Sequence, residues 1–262
     1  MNPRTGIILL AVLLLAATAQ AKIITQTVAY NQGGVALEGH LAYDDAVSGK
    51  RPGILVVHEW WGLNDYARSR AELLAKMGYV AFALDMYGKG KSTDHPDQAS
   101  AWMKSVNSNM DQWVQRAVAG LDVLKKQPQV DTTRLAAIGY CFGGATVQVM
   151  AYSGADLKGV VSFHGSLIPP SEEQASRTRA KILICHGAQD PMIQPEAMTA
   201  YVQGMNATSI DWQMIAYGGT RHSFTNPEAD KHGMAALAYS PSADRRSWQQ
   251  MGVFFNEVLS DG

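Results

Sequence analysis

Short, wholly apolar runs alternate along this chain with longer stretches of helical periodicity. Residues 53–58 read GILVVH, and such runs are typical of strands buried on both faces of a sheet. The other strand-like runs are residues 79–84, 135–140, 159–163, 181–185 and 210–216. Helical patterns cover residues 66–77, 110–126, 142–151, 195–205 and 243–259. The alternation predicts an α/β protein with a mostly parallel central sheet and helices on both faces.

The start of the pattern differs from the rest. Residues 23–30 and 35–43 flank the turn sequence Gln32-Gly33-Gly34 and predict an antiparallel pair ahead of the parallel strands. The most polar stretch, residues 89–98, predicts a surface loop. No long linker, repeat or low-complexity tract interrupts the chain after residue 21, so residues 22–262 are predicted to form a single domain.

The first 21 residues have the composition of a signal peptide. Arg4 provides a positive charge, residues 7–17 form an apolar run, and Ala19-Gln20-Ala21 is a small-x-small cleavage signal. A membrane-spanning helix needs about 20 apolar residues, and this run is shorter. We therefore expect cleavage after Ala21 and export of the mature chain to the periplasm or the medium, without membrane attachment.

The overall composition excludes several classes of partner. The chain has a formal net charge of -1 and 47% hydrophobic residues, which is ordinary for a globular protein. No basic run indicates binding to nucleic acid or to a lipid surface. No metal-ligand spacing and no glycine-rich phosphate loop is present, so we expect no metal and no cofactor. We expect a monomer that binds a small molecule.

The chain has two cysteines, Cys141 and Cys185, and export raises the question of a disulfide. If the strands lie in sequence order, the two residues are separated by two strand spacings of about 4.8 Å each. A disulfide requires Cα atoms within about 7 Å. We therefore predict no disulfide and interpret Cys185 as a small buried hydrophobic residue.

The sequence Gly139-Tyr140-Cys141-Phe142-Gly143 has the G-x-C-x-G form of a nucleophile elbow, between a predicted buried strand and a predicted helix. The glycines leave room for a strained turn. The helix N-terminus behind Cys141 favours a thiolate, and the N–H of Phe142 lies where an oxyanion would form. The alternative is a small buried cysteine in a tight turn.

A thiolate nucleophile needs a base and a group that orients the base. In this architecture the chain order is nucleophile, acid, histidine. Asp190 follows a predicted strand, and His222 lies in the loop after the last one. Singly, Asp190 also suits a turn before proline, and His222 an ordinary surface loop. His164 and His186, which end predicted strands, are interpreted as structural residues or as residues that support the reacting groups without touching substrate.

The chain resembles dienelactone hydrolases (carboxymethylenebutenolidases), a cysteine branch of the α/β-hydrolase fold. The resemblance spans the mature chain and is carried by HEWWGLN at 58–64, DMYGKG at 85–90, GYCFGG at 139–144, HGAQDP at 186–191 and GTRHSF at 219–224. It implies a triad of Cys141, Asp190 and His222 that hydrolyses a small ester, lactone or thioester through an acyl-enzyme. Two alternatives stay open, a catalytically silent ligand-binding protein and a redox-active thiol protein.

The resemblance also implies a role for Glu59. In the family, a glutamate at this place keeps the resting thiol protonated and swings away when substrate binds. Glu59 follows the strand-like run 53–58, where a buried carboxylate needs a partner. The backbone N–H of Trp60 is expected to be the second oxyanion donor, beside that of Phe142.

Four further residues are predicted to contact substrate: Trp61, Tyr87, Lys89 and Asn226. The resemblance implies that Lys89 and Asn226 stand where two arginines of the dienelactone enzymes hold the substrate carboxylate. Lysine lacks the bidentate fork of arginine, and asparagine carries no charge. We therefore expect an anionic lactone to bind less well, in a partly aromatic pocket.

Overall fold

The computed structural model describes residues 22–260, which fold around one sheet of eight strands. The predicted signal peptide, residues 1–21, lies outside the described residues. The strands are β1 (Ile23–Gln32), β2 (Val35–Asp44), β3 (Arg51–Val57), β4 (Val80–Leu84), β5 (Val130–Tyr140), β6 (Gly159–Phe163), β7 (Lys181–Gly187) and β8 (Trp212–Tyr217). They lie side by side in the order β1-β2-β4-β3-β5-β6-β7-β8.

Six of these strands, from β4 across to β8, are parallel to one another, and β1 and β2 join them as an antiparallel pair at one edge. The wholly apolar strands are the central ones, because both of their faces are covered. Strand β4, with the sequence VAFAL, is buried at every position. The predicted mostly parallel sheet with an antiparallel start is confirmed.

Helices cover both faces of the sheet. They are α1 (Asp65–Lys76), α2 (Pro96–Asn107), α3 (Met110–Lys125), α4 (Phe142–Tyr152), α5 (Glu172–Arg177), α6 (Pro195–Asn206) and α7 (Pro241–Val258), with a short 3₁₀ helix at Ala229–His232. Helices α1 and α7 pack on one face, with Leu74 and Phe255 among their buried residues. Helices α3, α4 and α6 pack on the other face through residues such as Leu121, Val147 and Tyr201.

The polar stretch 89–98 is only partly the predicted loop, because helix α2 begins inside it at Pro96. Proline suits the first turn of a helix, where its missing N–H has no intrahelical partner. Ala99 and Val106, seven residues apart, turn to the protein interior. Because the start of this segment is hydrophilic, its sequence predicted a loop, whereas the structure has helix α2, which contributes to the site described below.

Cys141 and Cys185 are both free, as predicted. Strand β6 lies between the strands that carry them, because Phe163 pairs with Cys185 on one side while Tyr140 pairs with Phe163 on the other. Within residues 22–260, no helix combines the length and the apolar character needed to cross a bilayer.

Candidate active site

The residues of interest lie together at the carboxyl edge of the parallel strands. Glu59 follows β3, Cys141 follows β5 and His164 follows β6, while Asp190 and His222 lie in the loops after β7 and β8. Parallel strands bring these loops to one edge of the sheet, where ligands of such folds bind.

Cys141 occupies a strained turn between β5 and α4, with φ 53° and ψ -112°. The surrounding glycines are required by close backbone contacts. A Cβ atom on Gly139 would lie 2.0 Å from the carbonyl oxygen of Gly143, and one on Gly143 would lie 2.2 Å from that of Val57. A left-handed conformation costs a non-glycine residue about 1–3 kcal/mol and is typical of functional sites. Helix α4 starts at the next residue and directs its positive end to the sulfur.

Asp190 and His222 form a buried pair beside Cys141. The His222 Nδ1–H donates to Asp190 Oδ2 over 2.7 Å, while the second carboxylate oxygen accepts the N–H of Met192 at 2.9 Å. The other ring nitrogen, Nε2, is buried and has no nitrogen or oxygen partner among the described residues, and the Cys141 side chain lies close enough to interact with it. Burial alone would lower the pKa of His222, but the negative charge of Cys141 and the hydrogen bond to Asp190 raise it to about 10. The ring can therefore accept and hold a proton from the thiol.

Glu59, which the resemblance assigns to restraining Cys141, has both carboxyl oxygens hydrogen bonded to the loop of His222. Its buried carboxylate accepts the Ser223 hydroxyl on Oε1 at 2.6 Å and the Asn226 side-chain amide on Oε2 at 2.7 Å. Burial raises the pKa of Glu59, and these two hydrogen bonds oppose the rise because they favour the ionised form. Glu59 is thus held on the loop that carries His222.

His164 has the supporting position in the site that was one of its two interpretations from the sequence. Its Nδ1 accepts the backbone N–H of Cys141 at 3.1 Å, and its Nε2–H donates to Thr225 Oγ1 at 2.7 Å. Thr225 also bonds the hydroxyl of Tyr66 at 2.6 Å. The ring thereby connects the Cys141 turn to the loop of His222. Only the tertiary contacts identify this role, since a histidine at a strand end has no signature of its own.

Backbone strain also concentrates here. Among residues 22–260, Cys141, His164 and Ser223 are the non-glycine residues with positive φ, at 53°, 41° and 53°. All three belong to the hydrogen-bonded group around the thiol. Because such strain persists only where the surrounding structure imposes it, the clustering supports a functional site at this position.

Two fully buried histidines should stay neutral at mildly acid pH. Burial lowers the pKa of His58 and lowers that of His164 strongly. Both rings already use one nitrogen as an acceptor, from the N–H of Met86 and of Cys141. In NMR spectra of histidine-labelled protein, we expect their ring signals to stay constant from pH 8 to about pH 6, whereas an unperturbed histidine titrates near 6.5.

The lowered pKa values of His58 and His164 also make the folded protein less stable as the pH falls. A folded-state pKa below the unfolded value of about 6.5 means that each ring takes up a proton on unfolding at acid pH, so its contribution is lost as the pH falls below about 6.5. The loss reaches about 1.4 kcal/mol per pH unit for each ring. In urea, the same signals should titrate normally, which provides the control. A midpoint near 6.5 for either ring in the folded protein would contradict this prediction.

A cavity of about 370 Å³ opens directly on Cys141 and His222. Its other lining residues are Trp60, Met103, Asn107, Trp113, Phe142, Ala145, Ser166, Ile168, Met192 and Ile193. Helix α2 contributes Met103 and Asn107, one turn apart, which the sequence reading had left out. Both predicted oxyanion residues, Trp60 and Phe142, line this cavity.

The four predicted substrate-binding residues do not line the cavity. Trp61 is buried and stacks on His232, with ring centroids 3.9 Å apart. Lys89 is exposed and forms an ion pair with Glu38 at 2.6 Å. These residues therefore serve packing and surface electrostatics rather than the wall around the thiol.

The other two of the four lie close to the site but behind its surface. Tyr87 is buried and stacks on Phe142 with centroids 5.8 Å apart, and its hydroxyl has no hydrogen-bond partner within the described residues. Burial and the proximity of Cys141 both raise the pKa of this hydroxyl. Asn226 holds Glu59 and borders a separate polar cavity that also includes Lys231 and His232.

The parallel sheet, the covering helices and the turn at Cys141 define an α/β-hydrolase type of fold. The model of the dienelactone hydrolase family matches residues 37–259, and the chain belongs to this family. The solved structure named m3DLH is 44% identical to this chain, with a TM-score of 0.87, and the match covers 91% of this chain and 99% of that one.

Two further relatives broaden the comparison. The structure of a dienelactone hydrolase-like promiscuous phosphotriesterase from metagenomic libraries is 40% identical, with a TM-score of 0.88 and coverage of 91% and 99%. A Bradyrhizobium sp protein described as a probable 2-oxo-3-(5-oxofuran-2-ylidene)propanoate lactonase is 26% identical over 245 residues, or 88% of this chain and 95% of that protein. The chain is accordingly a hydrolase of lactones or esters.

Proposed function

We propose that the protein hydrolyses small carboxylic esters, lactones or thioesters through a covalent intermediate on Cys141. The observation that carries the proposal is the buried Asp190–His222 hydrogen bond, with the free Nε2 of His222 beside the sulfur in one cavity. This is the arrangement that nucleophilic catalysis requires, a nucleophile next to a base whose orientation a third group sets.

The first half of the reaction transfers the acyl group to sulfur. His222 takes the thiol proton, and the thiolate attacks the substrate carbonyl carbon, so that a C–S bond forms. The C–O bond to the alcohol then breaks, and His222 returns the proton to the leaving oxygen. The backbone N–H groups of Phe142 and Trp60 stabilise the oxyanion, a contribution of about 3 kcal/mol for each donor.

The second half regenerates the thiol. His222 takes a proton from water, the hydroxide oxygen attacks the thioester carbonyl, and the C–S bond breaks with release of the acid. The thiolate and the protonated histidine then restore the starting pair. Both carboxyl oxygens of Glu59 are engaged by Ser223 and Asn226, and in its ionised form Glu59 interacts favourably with the imidazolium of His222.

Mass spectrometry after rapid mixing with p-nitrophenyl acetate tests this proposal. We expect one acetyl group on the peptide that contains Cys141 in the wild-type protein and no adduct in Cys141→Ala. Turnover that persists in Cys141→Ala without an adduct in wild type would overturn the mechanism. Rapid oxidation of Cys141 by peroxide, in a protein that hydrolyses no ester, would instead favour the redox-active thiol.

A second candidate reaction is hydrolysis of uncharged phosphotriesters. It is favoured by the likeness to the promiscuous phosphotriesterase, which covers nearly the whole of both chains at 40% identity. In this reaction the Cys141 thiolate would attack phosphorus and release the alcohol as leaving group. Comparison of p-nitrophenol release from paraoxon and from p-nitrophenyl acetate, in wild type and Cys141→Ala, distinguishes the two activities.

We also propose that the enzyme is exported, because residues 1–21 have the pattern of a cleavable signal, and that it works as a monomer. Expression of the full-length gene, followed by N-terminal sequencing of the periplasmic fraction, should yield a chain that starts at Lys22. Sedimentation of that material would give its oligomeric state. An uncleaved cytoplasmic product would contradict this proposal.

A further inference from the structure

We infer that the cavity at Cys141 selects substrates without a negative charge, an uncharged ester or lactone with an apolar or aromatic group. This inference rests on the proposed thiol chemistry and adds the substrate class. It differs from the anionic lactone that gives the family its name.

The cavity offers no cation to a substrate carboxylate. None of its lining residues is a lysine or an arginine, and apart from Cys141 and His222 its polar side chains are Asn107 and Ser166. The one group that becomes positive, His222, is already engaged with Asp190 and with the thiolate. A carboxylate enclosed here would lose its hydration without gaining an ion pair.

Two basic residues near the site, Lys89 and Arg116, are committed elsewhere. Lys89 forms its ion pair with Glu38. Arg116 donates to the Gln32 side chain at 2.7 Å and to a backbone carbonyl at 3.1 Å. Neither Lys89 nor Arg116 lines the cavity, so neither provides a positive charge there.

The negative groups of the site also oppose an anion. Asp190 is buried beside the reaction centre, and the thiolate that Cys141 forms during the proposed reaction is half-buried in the same cavity. In a buried site, where the effective dielectric constant is lower than in water, like charges repel more strongly. A neutral substrate avoids both this repulsion and the cost of desolvating its own charge.

The walls favour a flat apolar group instead. Trp113 and Phe142 stack with ring centroids 5.7 Å apart and an interplanar angle of 8°. The Trp113 indole N–H donates to Thr146 at 2.8 Å, which fixes the ring in place. Ile168, Met103 and other aliphatic side chains complete the lining. The volume of about 370 Å³ is near the lower end of the range of about 300–1,000 Å³ for ligand sites, so the substrate is small.

Two pairs of nearly isosteric substrates test the inference. p-Nitrophenyl hexanoate and p-nitrophenyl hemiadipate differ by a charge on the acyl group, and methyl 4-acetoxybenzoate and 4-acetoxybenzoate differ by a charge on the leaving group. We expect kcat/KM to be higher for the neutral member by about 100-fold in at least one pair and by tenfold or more in both. Ratios within about threefold in both pairs, with Cys141 still acylated, would overturn the inference.

A gain-of-function variant provides a second test. Asn107 ends helix α2 at the cavity wall, where a cation is also favourable to the helix C-terminus. Asn107→Arg should raise kcat/KM for the anionic member of at least one pair by about tenfold, and the uncharged control Asn107→Gln should leave the ratio unchanged. Equal ratios in Asn107→Arg and Asn107→Gln would contradict the selection against charge. Absence of acylation with every substrate would instead refute the proposed function itself.

Discussion

Cys141→Ala should lower kcat for ester hydrolysis by about 10⁴-fold or more, because it removes the atom that forms the acyl-enzyme. The rest of the site would remain, since alanine preserves the Cβ of a residue whose backbone, not its sulfur, makes the hydrogen bonds to Phe163 and His164. Steady-state hydrolysis of p-nitrophenyl acetate measures the change, and urea unfolding shows whether the fold is intact.

Cys185→Ala is the matched control. Cys185 is the other cysteine of the chain, is fully buried in β7, and has a pKa raised to about 12 by burial. Its thiol is therefore inert at neutral pH, and the variant should keep wild-type kcat with a modest loss of stability. Equal activity of the two variants would remove Cys141 from the mechanism.

Asp190→Asn should lower kcat by about 10³–10⁴-fold with little change in the fold. In the wild-type protein, the Asp190 carboxylate accepts the Nδ1–H of His222 and so leaves Nε2 as the proton acceptor toward the thiol. An amide N–H in this position would turn the ring to the opposite tautomer, with its proton directed at the sulfur. The rate of Cys141 alkylation by iodoacetamide at pH 7 should fall as well, because His222 no longer withdraws the thiol proton.

Gln189→Ala provides the comparison for this variant. Gln189 is the exposed neighbour of Asp190, and its backbone N–H, which bonds the carbonyl of Thr220, is kept by the substitution. This variant should match wild type in both hydrolysis and alkylation. If Asp190→Asn also matched wild type in both, the acid would have to be another residue.

The sequence determined the alternation of elements because burial on two faces requires continuous apolar strands, and a covering helix requires an apolar stripe. The Cys141 turn was equally local, since the glycines that permit it are two residues away on either side. Helix α2 was not predicted, because the residues at its start do not show an apolar stripe. Its first residues are polar, and the apolar positions that reveal it, Ala99 and Val106, come later.

The partners of each charged group were decided only by the tertiary structure. Glu59 meets Ser223 and Asn226 more than 160 positions away, and Lys89 meets Glu38 across the sheet edge. The hydrophobic periodicity of the sequence does not predict such contacts, because a hydrogen bond or ion pair depends on which separate loops come together in the fold. The sequence by itself therefore determined the strands, the turn and the order of the reacting groups. The tertiary structure alone decided which side chains form the cavity and why no lysine or arginine lines it, since both properties arise from packing between distant segments.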